Sequence, residues 1–447
     1  MREHSSTLPA AAPQGSIRRS MLHCALASAV LCVAGSAGAS PAAAIDARPT
    51  PVASAAGCER SGWPLWEAFA QRHIQSDGRV VDHATQRLHS TSEGQSYAML
   101  FALVAHDRPR FDLLWRWSVA NLMDGQVGKQ LPAWQWGRRD DGSWGVVDAN
   151  SASDADLWFV YALAEAGRLW QVPQYTQDAL ALLPLITAEE VADLPGLGAM
   201  LLPGRSGFAT IAQQWRINPS YMPLPVLRRL AQLQPSGPWK AIARNSVQML
   251  VQNTPQGFAP DWVIYRATVT ADAALDPRGV APDATSTDAA KLATSGTFMQ
   301  DSETGDLGSY EAIRVYLWAG MTAPGDPLAA TLLKSLGGMS RALSQTGLPP
   351  EKVHTRSAST SGAAPVGFSA ALLPFLRATG QPALLRAQRA RAQAGLWPTA
   401  PLPAPTYYDY VLGLFGSGWD EQRYQFMPSG RLKLRSEKAC LPQVKKL

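Results

Sequence analysis

The sequence of 447 residues carries a formal net charge of +5, with 46% hydrophobic and 17% charged residues. These proportions fit a globular protein that is large enough for a substantial buried core. The charge is small for this length and no stripe of lysine or arginine stands out, so we expect no nucleic acid partner. The 15 tryptophans are a high count, which fits either core packing or aromatic platforms for sugar rings.

The N-terminal segment 1–39 has the layout of a secretory signal peptide. Arg18 and Arg19 precede an apolar run over Met21–Val33, and small residues follow it. The run is too short to span a membrane, and its flanks are those of a cleaved signal. We therefore predict a periplasmic or secreted protein without a membrane span after signal removal. The segment 40–56 is rich in Ala and Pro and is predicted to be a linker.

Two cysteines remain if the signal segment is removed. Cys24 and Cys32 lie inside that segment, which leaves Cys58 and Cys440. In an oxidising compartment these two are predicted to form a disulfide that ties the ends of the domain together, and two free thiols are the alternative. The sequence has no CxxC or HExxH motif, and its histidines lack ligand spacing, so we expect neither a metal nor another cofactor.

Helical periodicity dominates from Trp63 onward. The first clear example is the apolar series at Tyr97, Leu100, Phe101 and Val104, and the series at Ile313, Tyr316, Leu317 and Gly320 has the same helical spacing. Further helices are predicted, in chain order, over Arg110–Asn121, Ala155–Trp170, Gln177–Leu185, Pro223–Gln232, Pro238–Gln252, Pro327–Ser344, Ser369–Ala378 and Tyr408–Phe415. Alternation with a period of two is scarce. The pattern therefore predicts an all-α fold in a single catalytic domain, 57–447.

One stretch of that domain differs in composition from the rest. Residues 267–307 are rich in Ala, Thr, Ser and Asp and contain few large apolar side chains. Such a segment cannot bury enough apolar surface to form a core of its own. We expect it to be an inserted, mobile surface loop.

Carboxylates recur at the starts of three predicted helices. They are Glu93, Asp154, Asp156 and Glu311. The pairs Ser90 with Glu93 and Ser153 with Asp156 match a capping box, in which the acid and the hydroxyl satisfy free helix N–H groups. The helix dipole also favours acids in the first turn. From the pattern alone, capping is the simpler interpretation of these acids.

Two details favour a catalytic interpretation instead. Glu93 lies four residues before Tyr97 and so projects from the inward face of its helix, and Arg314 follows Glu311 by three residues. Carboxylates that converge in an aromatic-lined cleft supply the acid and the base that glycosidic cleavage needs. A helix N-terminus would lower the pKa of Glu93, so burial must dominate if this group is to donate a proton.

Five ordered motifs resemble glycoside hydrolase family 8 between about Trp63 and Phe426. They are Ser92–Tyr97, Ala152–Asp156, Asn218–Tyr221, Ser309–Arg314 and Gly367–Ala370. Further motifs, together with the positions of both remaining cysteines, resemble the branch that contains the periplasmic endoglucanase of bacterial cellulose-synthesis operons. They are Pro260–Trp262 and Tyr316–Met321. The resemblance implies an (α/α)6 barrel whose cleft lies where the inner helices begin. It also implies an inverting endo-β-1,4-glucanase that acts on β-1,4-glucan, supports cellulose biosynthesis and has the cellulose synthase complex as a possible partner.

The resemblance also implies roles for single residues. Glu93 matches the general acid and Glu311 occupies the position of the general base. Asp154 matches the acid that binds and distorts the sugar at the cleavage subsite. Tyr221 matches a tyrosine near the attacking water, and Arg314 matches an arginine beside the base.

Two aromatic pairs are candidates for stacking on sugar rings. They are Trp134 with Trp136 and Tyr407 with Tyr408, and each pair could equally belong to the core.

The chain departs from the family pattern at the base, where Glu311 stands in place of the usual aspartate. Its extra methylene changes the reach of the carboxylate, and small displacements at a reacting group reduce the rate strongly. The alternative bases are Asp301, Glu303 and Asp306, all within the inserted segment. The alternative function is a catalytically weak glucan-binding protein associated with the cellulose synthase.

Overall fold

A computed structural model describes residues 62–210, 213–269, 293–397 and 405–435. The predicted signal peptide 1–39, the linker 40–56 and both Cys58 and Cys440 lie outside the described residues, so these predictions stay predictions. Within the described ranges, no helix is both long and apolar enough to cross a membrane.

The described residues form helices linked by loops and short strands. In chain order the helices are α1 (Pro64–His73), α2 (Ser92–Val104), α3 (Arg108–Leu122), α4 (Ser153–Trp170), α5 (Pro173–Glu189), α6 (Leu224–Leu233), α7 (Trp239–Asn253), α8 (Ile313–Met321), α9 (Ala329–Ser335), α10 (Gly338–Thr346), α11 (Val366–Ala378), α12 (Pro382–Leu396) and α13 (Tyr407–Asp420), with a 3₁₀ turn at Pro219–Tyr221. The strands are β1 (Ser90–Thr91), β2 (Gln135–Arg138), β3 (Trp144–Asp148), β4 (Val191–Leu194), β5 (Gly198–Leu201), β6 (Ala209–Thr210), β7 (Gln214–Ile217), β8 (Val263–Val269), β9 (Ala293–Gln300), β10 (Leu307–Gly308), β11 (Pro350–His354), β12 (Thr360–Ala363), β13 (Tyr424–Phe426) and β14 (Leu432–Leu434).

Helices that are mostly buried are separated along the chain by helices that are half-buried. Helices α2, α4, α8, α11 and α13 are buried over most of their length, and α8 is buried at every position. By contrast, α1, α3, α5, α7 and α12 each bury one face. A helix that is apolar all round must be covered on every side. Accordingly α2 packs against both α3 and α4, and α11 packs against α8, α12 and α13.

The predicted helices are present, with three differences. Helices α1 and α12 were not predicted, and the single helix expected over Pro327–Ser344 is two helices, α9 and α10. The break brings the Gly338 N–H to the Gly257 carbonyl at 2.9 Å. A side chain on Gly338 would meet the backbone oxygen of Gln256 at 2.6 Å, so the close approach requires glycine. The Gly337-Gly338 pair at the break also has low helix propensity, so the local sequence and this contact both separate α9 from α10.

Short antiparallel sheets join the helices, and one of them corrects the expectation for residues 267–307. The order β6-β7-β8-β9 makes a four-stranded sheet. In it, β8 and β9 pair from Val263 opposite Gln300 to Val269 opposite Ala293. The expectation of a loop is therefore wrong for both flanks of the insertion, whereas 270–292 lies outside the described residues. The flanks contain small and β-branched side chains, and their strands pair with segments that are distant in sequence. Local periodicity therefore gives little indication of these strands.

Candidate active site

The N-terminal ends of buried helices bring the predicted carboxylates into one cluster. Glu93 lies at the start of α2 and Asp154 at the start of α4, while Glu311 lies in the turn before α8. Arg314 joins them because its guanidinium donates a hydrogen bond to Glu311 and lies 3.8 Å from Asp154 Oδ2. The structure thus places four of the predicted site residues together.

Glu93 is not a capping residue, because Thr91 caps α2. The Thr91 hydroxyl accepts a hydrogen bond from the Gly94 N–H at 3.2 Å. Glu93 instead accepts hydrogen bonds from Trp134 Nε1 at 3.1 Å and from the Ser92 hydroxyl at 3.4 Å. The capping-box interpretation is therefore wrong for this residue, and its carboxyl group is available to the cleft.

Burial raises the pKa of Glu93 to about 8, and the nearby charge of Asp154 adds to this effect. Arg314 and the Trp134 hydrogen bond oppose the shift but do not reverse it. Desolvation thus outweighs the helix N-terminus, which is the condition set by the sequence argument. At neutral pH the group carries a proton that it can donate.

Asp154 is almost fully enclosed, with 1% of its surface exposed. It accepts hydrogen bonds from the Tyr97 hydroxyl at 3.0 Å and from the Ala155 N–H at 2.9 Å. Burial raises the pKa of Asp154 to about 6, although the Arg314 charge opposes the rise. The charge of this carboxylate influences both Glu93 and the arginine.

Asp156, the fourth predicted carboxylate, belongs to a separate pair. Helix α4 has no side-chain cap, so the proposed box of Ser153 with Asp156 is absent. Burial raises the pKa of Asp156 well above its ordinary range, and the charge of Glu190 adds to the rise. Burial also raises the pKa of Glu190 to about 8, against the hydrogen bond from the Ser151 hydroxyl at 2.5 Å. Both acids therefore favour the protonated form at neutral pH.

Glu311 is held by two donors that act on the same oxygen. Its Oε2 accepts from Asn218 Nδ2 at 3.1 Å and from Arg314, while the Ser220 hydroxyl donates to Asn218 Oδ1 at 2.7 Å. Burial works against the charge of Arg314, but the adjacent Glu311 carboxylate keeps the arginine pKa above its ordinary value. The guanidinium therefore stays charged. Oε1 of Glu311 has no protein donor among the described residues, which leaves it available to a water molecule.

Asp261 clamps the turn that carries Glu311. Its Oδ1 accepts from the backbone N–H groups of Ser309 at 2.7 Å and Ala312 at 2.8 Å. Its Oδ2 accepts from the Ser309 hydroxyl at 2.5 Å. Sequence reasoning gave Asp261 no role at the site, because the turn that it holds lies 48 residues further along the chain. Its place in a recognised motif was the only signal that pointed to it.

In each of the two aromatic pairs, one residue lies at the site and the other packs in the core. Trp134 is 37% exposed and donates to Glu93, whereas the ring of Trp136 packs between Trp117 and Trp144. Trp136 makes no hydrogen bond to the carboxylate cluster in the described ranges.

The tyrosines divide in the same way. Tyr407 packs against Phe69 and His73. Tyr408 instead lines a cavity of about 340 Å³ beside Glu311, and its hydroxyl donates to the Tyr310 carbonyl at 2.7 Å. The exposed ring of Tyr310 lines the same cavity and was missed by the sequence reasoning.

Tyr221 lies beside the arginine of the cluster. Its ring centre is 5.5 Å from the Arg314 guanidinium carbon and 6.3 Å from the ring centre of Trp262. Burial raises the pKa of Tyr221 well above its ordinary value, with the Asp154 charge as the next cause. The hydroxyl therefore stays protonated and can serve as a donor or an acceptor.

The alternative bases are engaged elsewhere. Asp301 and Glu303 form ion pairs with Arg216 at 2.8 and 2.9 Å. Asp306 pairs with His354 at 2.8 Å. These contacts hold the arm between β9 and β10, whereas Glu311 contacts the arginine of the carboxylate cluster.

This site defines a class of protein. A protonated carboxylic acid, a second carboxylate held by an arginine, and aromatic rings at the cleft are the parts of a glycoside hydrolase site. A family model described as glycosyl hydrolases family 8 matches residues 51–278 and 278–422. The chain therefore belongs to glycosyl hydrolase family 8 and is a glycoside hydrolase.

Similar proteins cover nearly the whole chain. An endoglucanase of Xanthomonas axonopodis pv. citri is 46% identical over 415 residues, which are 93% of this chain and 96% of that protein. An endoglucanase of Salmonella typhi is 42% identical over 370 residues, covering 83% and 90% of the two chains. The crystal structure of endo-1,4-D-glucanase from Vibrio fischeri ES114 matches with a TM-score of 0.70 at 36% identity, and the match covers 84% of this chain and 99% of that one.

Proposed function

We propose that this enzyme is an endo-β-1,4-glucanase that cleaves internal bonds of a cellulose-type glucan by a single, inverting displacement. The observation that carries the proposal is a cluster that contains both a protonated carboxyl group and a second carboxyl group bound by an arginine. Burial keeps a proton on Glu93, whose pKa is about 8, while Arg314 binds Glu311 directly. An inverting glycosidase needs one such acid and one such base.

Glu93 acts as the general acid. Its proton passes to the glycosidic oxygen as the bond between this oxygen and the anomeric carbon breaks. The Trp134 indole N–H, 3.1 Å from Glu93 Oε1, orients the carboxyl group toward the cleft.

Glu311 acts as the general base. It takes a proton from a water molecule whose oxygen bonds to the anomeric carbon on the side opposite the leaving group. Asn218 and Arg314 hold Oε2, and the Ser220 hydroxyl holds Asn218 in place. Together they restrain the longer glutamate side chain and direct Oε1 to the water, which compensates for the extra methylene.

Asp154 binds the sugar ring at the point of cleavage. Tyr97 and the start of α4 fix its position through hydrogen bonds of 3.0 and 2.9 Å. Its negative charge also helps to keep Glu93 protonated. A single buried carboxylate thereby supports both the binding of the ring and the acid.

The helices are arranged, in this proposal, as an (α/α)6 barrel. The burial of α2, α4, α8, α11 and α13 supports an inner ring that contains them together with α6, which packs against both α4 and α8, while the other helices lie outside. The location of the acid, the base and Asp154 at the starts of inner elements agrees with a cleft at that end.

The substrate and the cellular role follow from the relatives and from the N-terminus. The similar proteins are named as endoglucanases, one of them as an endo-1,4-D-glucanase, which supports β-1,4-glucan as the substrate. The signal-like segment 1–39 supports export to the periplasm or beyond. A role in cellulose biosynthesis, alongside a synthase complex, rests on the resemblance to the operon-encoded branch of the family.

Reducing-sugar release from carboxymethylcellulose tests the catalytic assignment. Glu93→Gln and Glu311→Ala should each reduce kcat at least 1000-fold, on the order of the loss caused by removing one essential group in a concerted site. Glu303→Gln is the matched control, because Glu303 is exposed and pairs with Arg216. Near-normal activity of Glu311→Ala, or loss in Glu303→Gln, would contradict the assignment of the base. A wild-type protein that binds glucan without releasing sugar would favour the non-catalytic alternative.

A further inference from the structure

Three tryptophans lie along the sheet β1-β2-β3, beginning at the general acid. Trp134 donates to Glu93, Trp136 stands in β2, and Trp144 stands at the start of β3. We propose that Trp144 is an outer stacking platform that binds a glucan residue beyond the cleavage subsites. This inference rests on the proposed function, and it adds a binding site to the catalytic cluster.

The backbone places Trp134 and Trp136 on the same face of the sheet. The Ser92 N–H donates to the Trp134 carbonyl at 2.9 Å, and the Trp134 N–H donates to the Asn150 carbonyl at 2.6 Å. These bonds continue the ladder in which Ser90 pairs with Trp136. Residues two apart in an extended strand share a face, so the row of rings that starts at Glu93 continues along β2.

Trp144 extends this row as a diagonal cross-strand neighbour. Trp136 stands opposite Val146, and Arg138 stands opposite Trp144. Diagonal pairs on one face are within reach for aromatic side chains. The Trp136 and Trp144 rings are indeed stacked, with centroids 5.6 Å apart and planes 22° apart.

The stack is anchored in the core and ends at the surface. Trp117, a buried residue of α3, meets Trp136 edge-on at 5.4 Å. The Arg79 guanidinium carbon lies 4.4 Å from the centre of Trp136 and 4.8 Å from that of Trp144. Arg79 is itself fixed, since its Nε donates to the Ser90 hydroxyl at 2.8 Å. Trp144 nevertheless keeps 46% of its surface exposed.

A rigid, exposed indole is suited to a sugar ring. Covering an exposed aromatic ring with an apolar surface is energetically favourable. The apolar face of a pyranose can provide that surface. Because the stack already fixes the ring, binding costs little further side-chain entropy. Exposed polar side chains surround the ring at the tip of the hairpin and can bond to sugar hydroxyls. They are Arg138, Arg139, Asp140 and Asp141.

The hairpin that carries Trp144 is also fixed at its tip. Arg87 pairs with Asp140 at 2.5 Å, and Arg139 Nε donates to the Val146 carbonyl at 3.0 Å. The platform therefore stays in place while a chain is bound. A β-1,4-glucan that passes Glu93 and Trp134 reaches Trp144 only if the glucan is long enough.

The test compares Trp144→Ala with a second exposed tryptophan. Trp397→Ala is the matched control, because Trp397 is 36% exposed and lies beside Ser417 and Glu421, near the end of α13 opposite to the Tyr408 end. We expect Trp144→Ala to lower kcat/KM on carboxymethylcellulose about 3- to 10-fold through KM, and to leave cellotetraose hydrolysis within about twofold of wild type. Trp144→Phe should restore most of the loss, and Trp397→Ala should match wild type on both substrates.

Equal kinetics of Trp144→Ala and Trp397→Ala on carboxymethylcellulose would overturn the platform, as would an equal loss on both substrates. Affinity electrophoresis in gels that contain carboxymethylcellulose separates this result from a failure of the proposed function. If the wild type hydrolyses nothing but is retarded by the glucan, weaker retardation of Trp144→Ala supports the platform and unchanged retardation refutes it. The same comparison in the Glu93→Gln background removes any effect of turnover.

Discussion

Glu93 shows how a single residue changes its role when it is buried. Its position at a helix start fits a capping acid, and a helix N-terminus favours the ionised form. In the structure Thr91 caps the helix, and burial with the Asp154 charge raises the pKa of Glu93 to about 8. The chemistry of the site therefore depends on desolvation, which a local sequence pattern does not encode.

Trp134→Phe should shift the alkaline limb of the kcat/KM profile to higher pH. The indole N–H hydrogen bond lowers the pKa of Glu93, because it stabilises the carboxylate. Without this donor, Glu93 keeps its proton to a higher pH. Initial rates on carboxymethylcellulose between pH 5 and about pH 10 measure the shift, with Trp397→Phe as the control. A limb that stays in place or moves to lower pH would show that Glu93 does not titrate as the acid.

At the scale of secondary-structure elements, the turn before α8 determines the position of the base, Glu311. Asp261 holds this turn by three hydrogen bonds of 2.5 to 2.8 Å and is itself buried. It acts through Glu311, whose turn it holds, so it is a positioning residue. Because these contacts bridge distant parts of the chain, the turn is held by tertiary structure.

Asp261→Asn should reduce kcat about 10- to 100-fold and change KM little, since a displaced base slows the chemical step more than binding. The amide keeps one acceptor oxygen for the backbone and loses the charge. Ser309→Ala removes only the hydroxyl contact and should cost less. Asp301→Asn, on the neighbouring arm, is the control for a buried, hydrogen-bonded aspartate. A change in KM alone for Asp261→Asn would assign the residue to binding instead.

The elements also show which parts of the fold can be predicted from sequence. Core helices such as α2 and α4 were found because their apolar spacing is local. The ribbon β8–β9 was missed because its pairing joins Val263 to Gln300 across a segment of low apolar content. The same reason hid Tyr310, which meets Tyr408 98 residues away. Local patterns thus located Glu93, Asp154 and Glu311, whereas their supporting contacts depend on tertiary structure.

At the scale of the whole molecule, the buried acid pair links stability to pH. Burial raises the pKa of Asp156 well above its ordinary value and that of Glu190 to about 8. An unfolded glutamate loses its proton near pH 4.3, about four units earlier. The folded protein therefore binds more protons than the unfolded chain in this window. The contribution of Glu190 to the free energy of unfolding is complete below about pH 4.3, the unfolded pKa. It declines as the pH rises toward about 8, the folded pKa.

Glu190→Gln should make this decline less steep. The free energy of unfolding of the wild type should fall more steeply than that of the variant, by about 1.4 kcal/mol per pH unit between about pH 5 and pH 8, the contribution of one proton. The variant cannot ionise at this position, so its slope should be flatter. Urea titrations at pH 5 and about pH 8 measure the difference, with Glu189→Gln as the neighbouring control. Equal slopes for wild type and Glu190→Gln would show that the pair does not hold the proton.

The central claim is that Glu93 and Glu311 act as acid and base on opposite sides of one bond. A proton NMR time course of cellopentaose hydrolysis tests it most directly, because the anomer that forms first reports the number of displacements. A single displacement at a β-linkage releases the α-anomer first, and mutarotation then produces the β-anomer. We expect the α-anomer signal to rise first. Initial release of the β-anomer would contradict the account, because it would require a covalent intermediate and a nucleophile in place of the base.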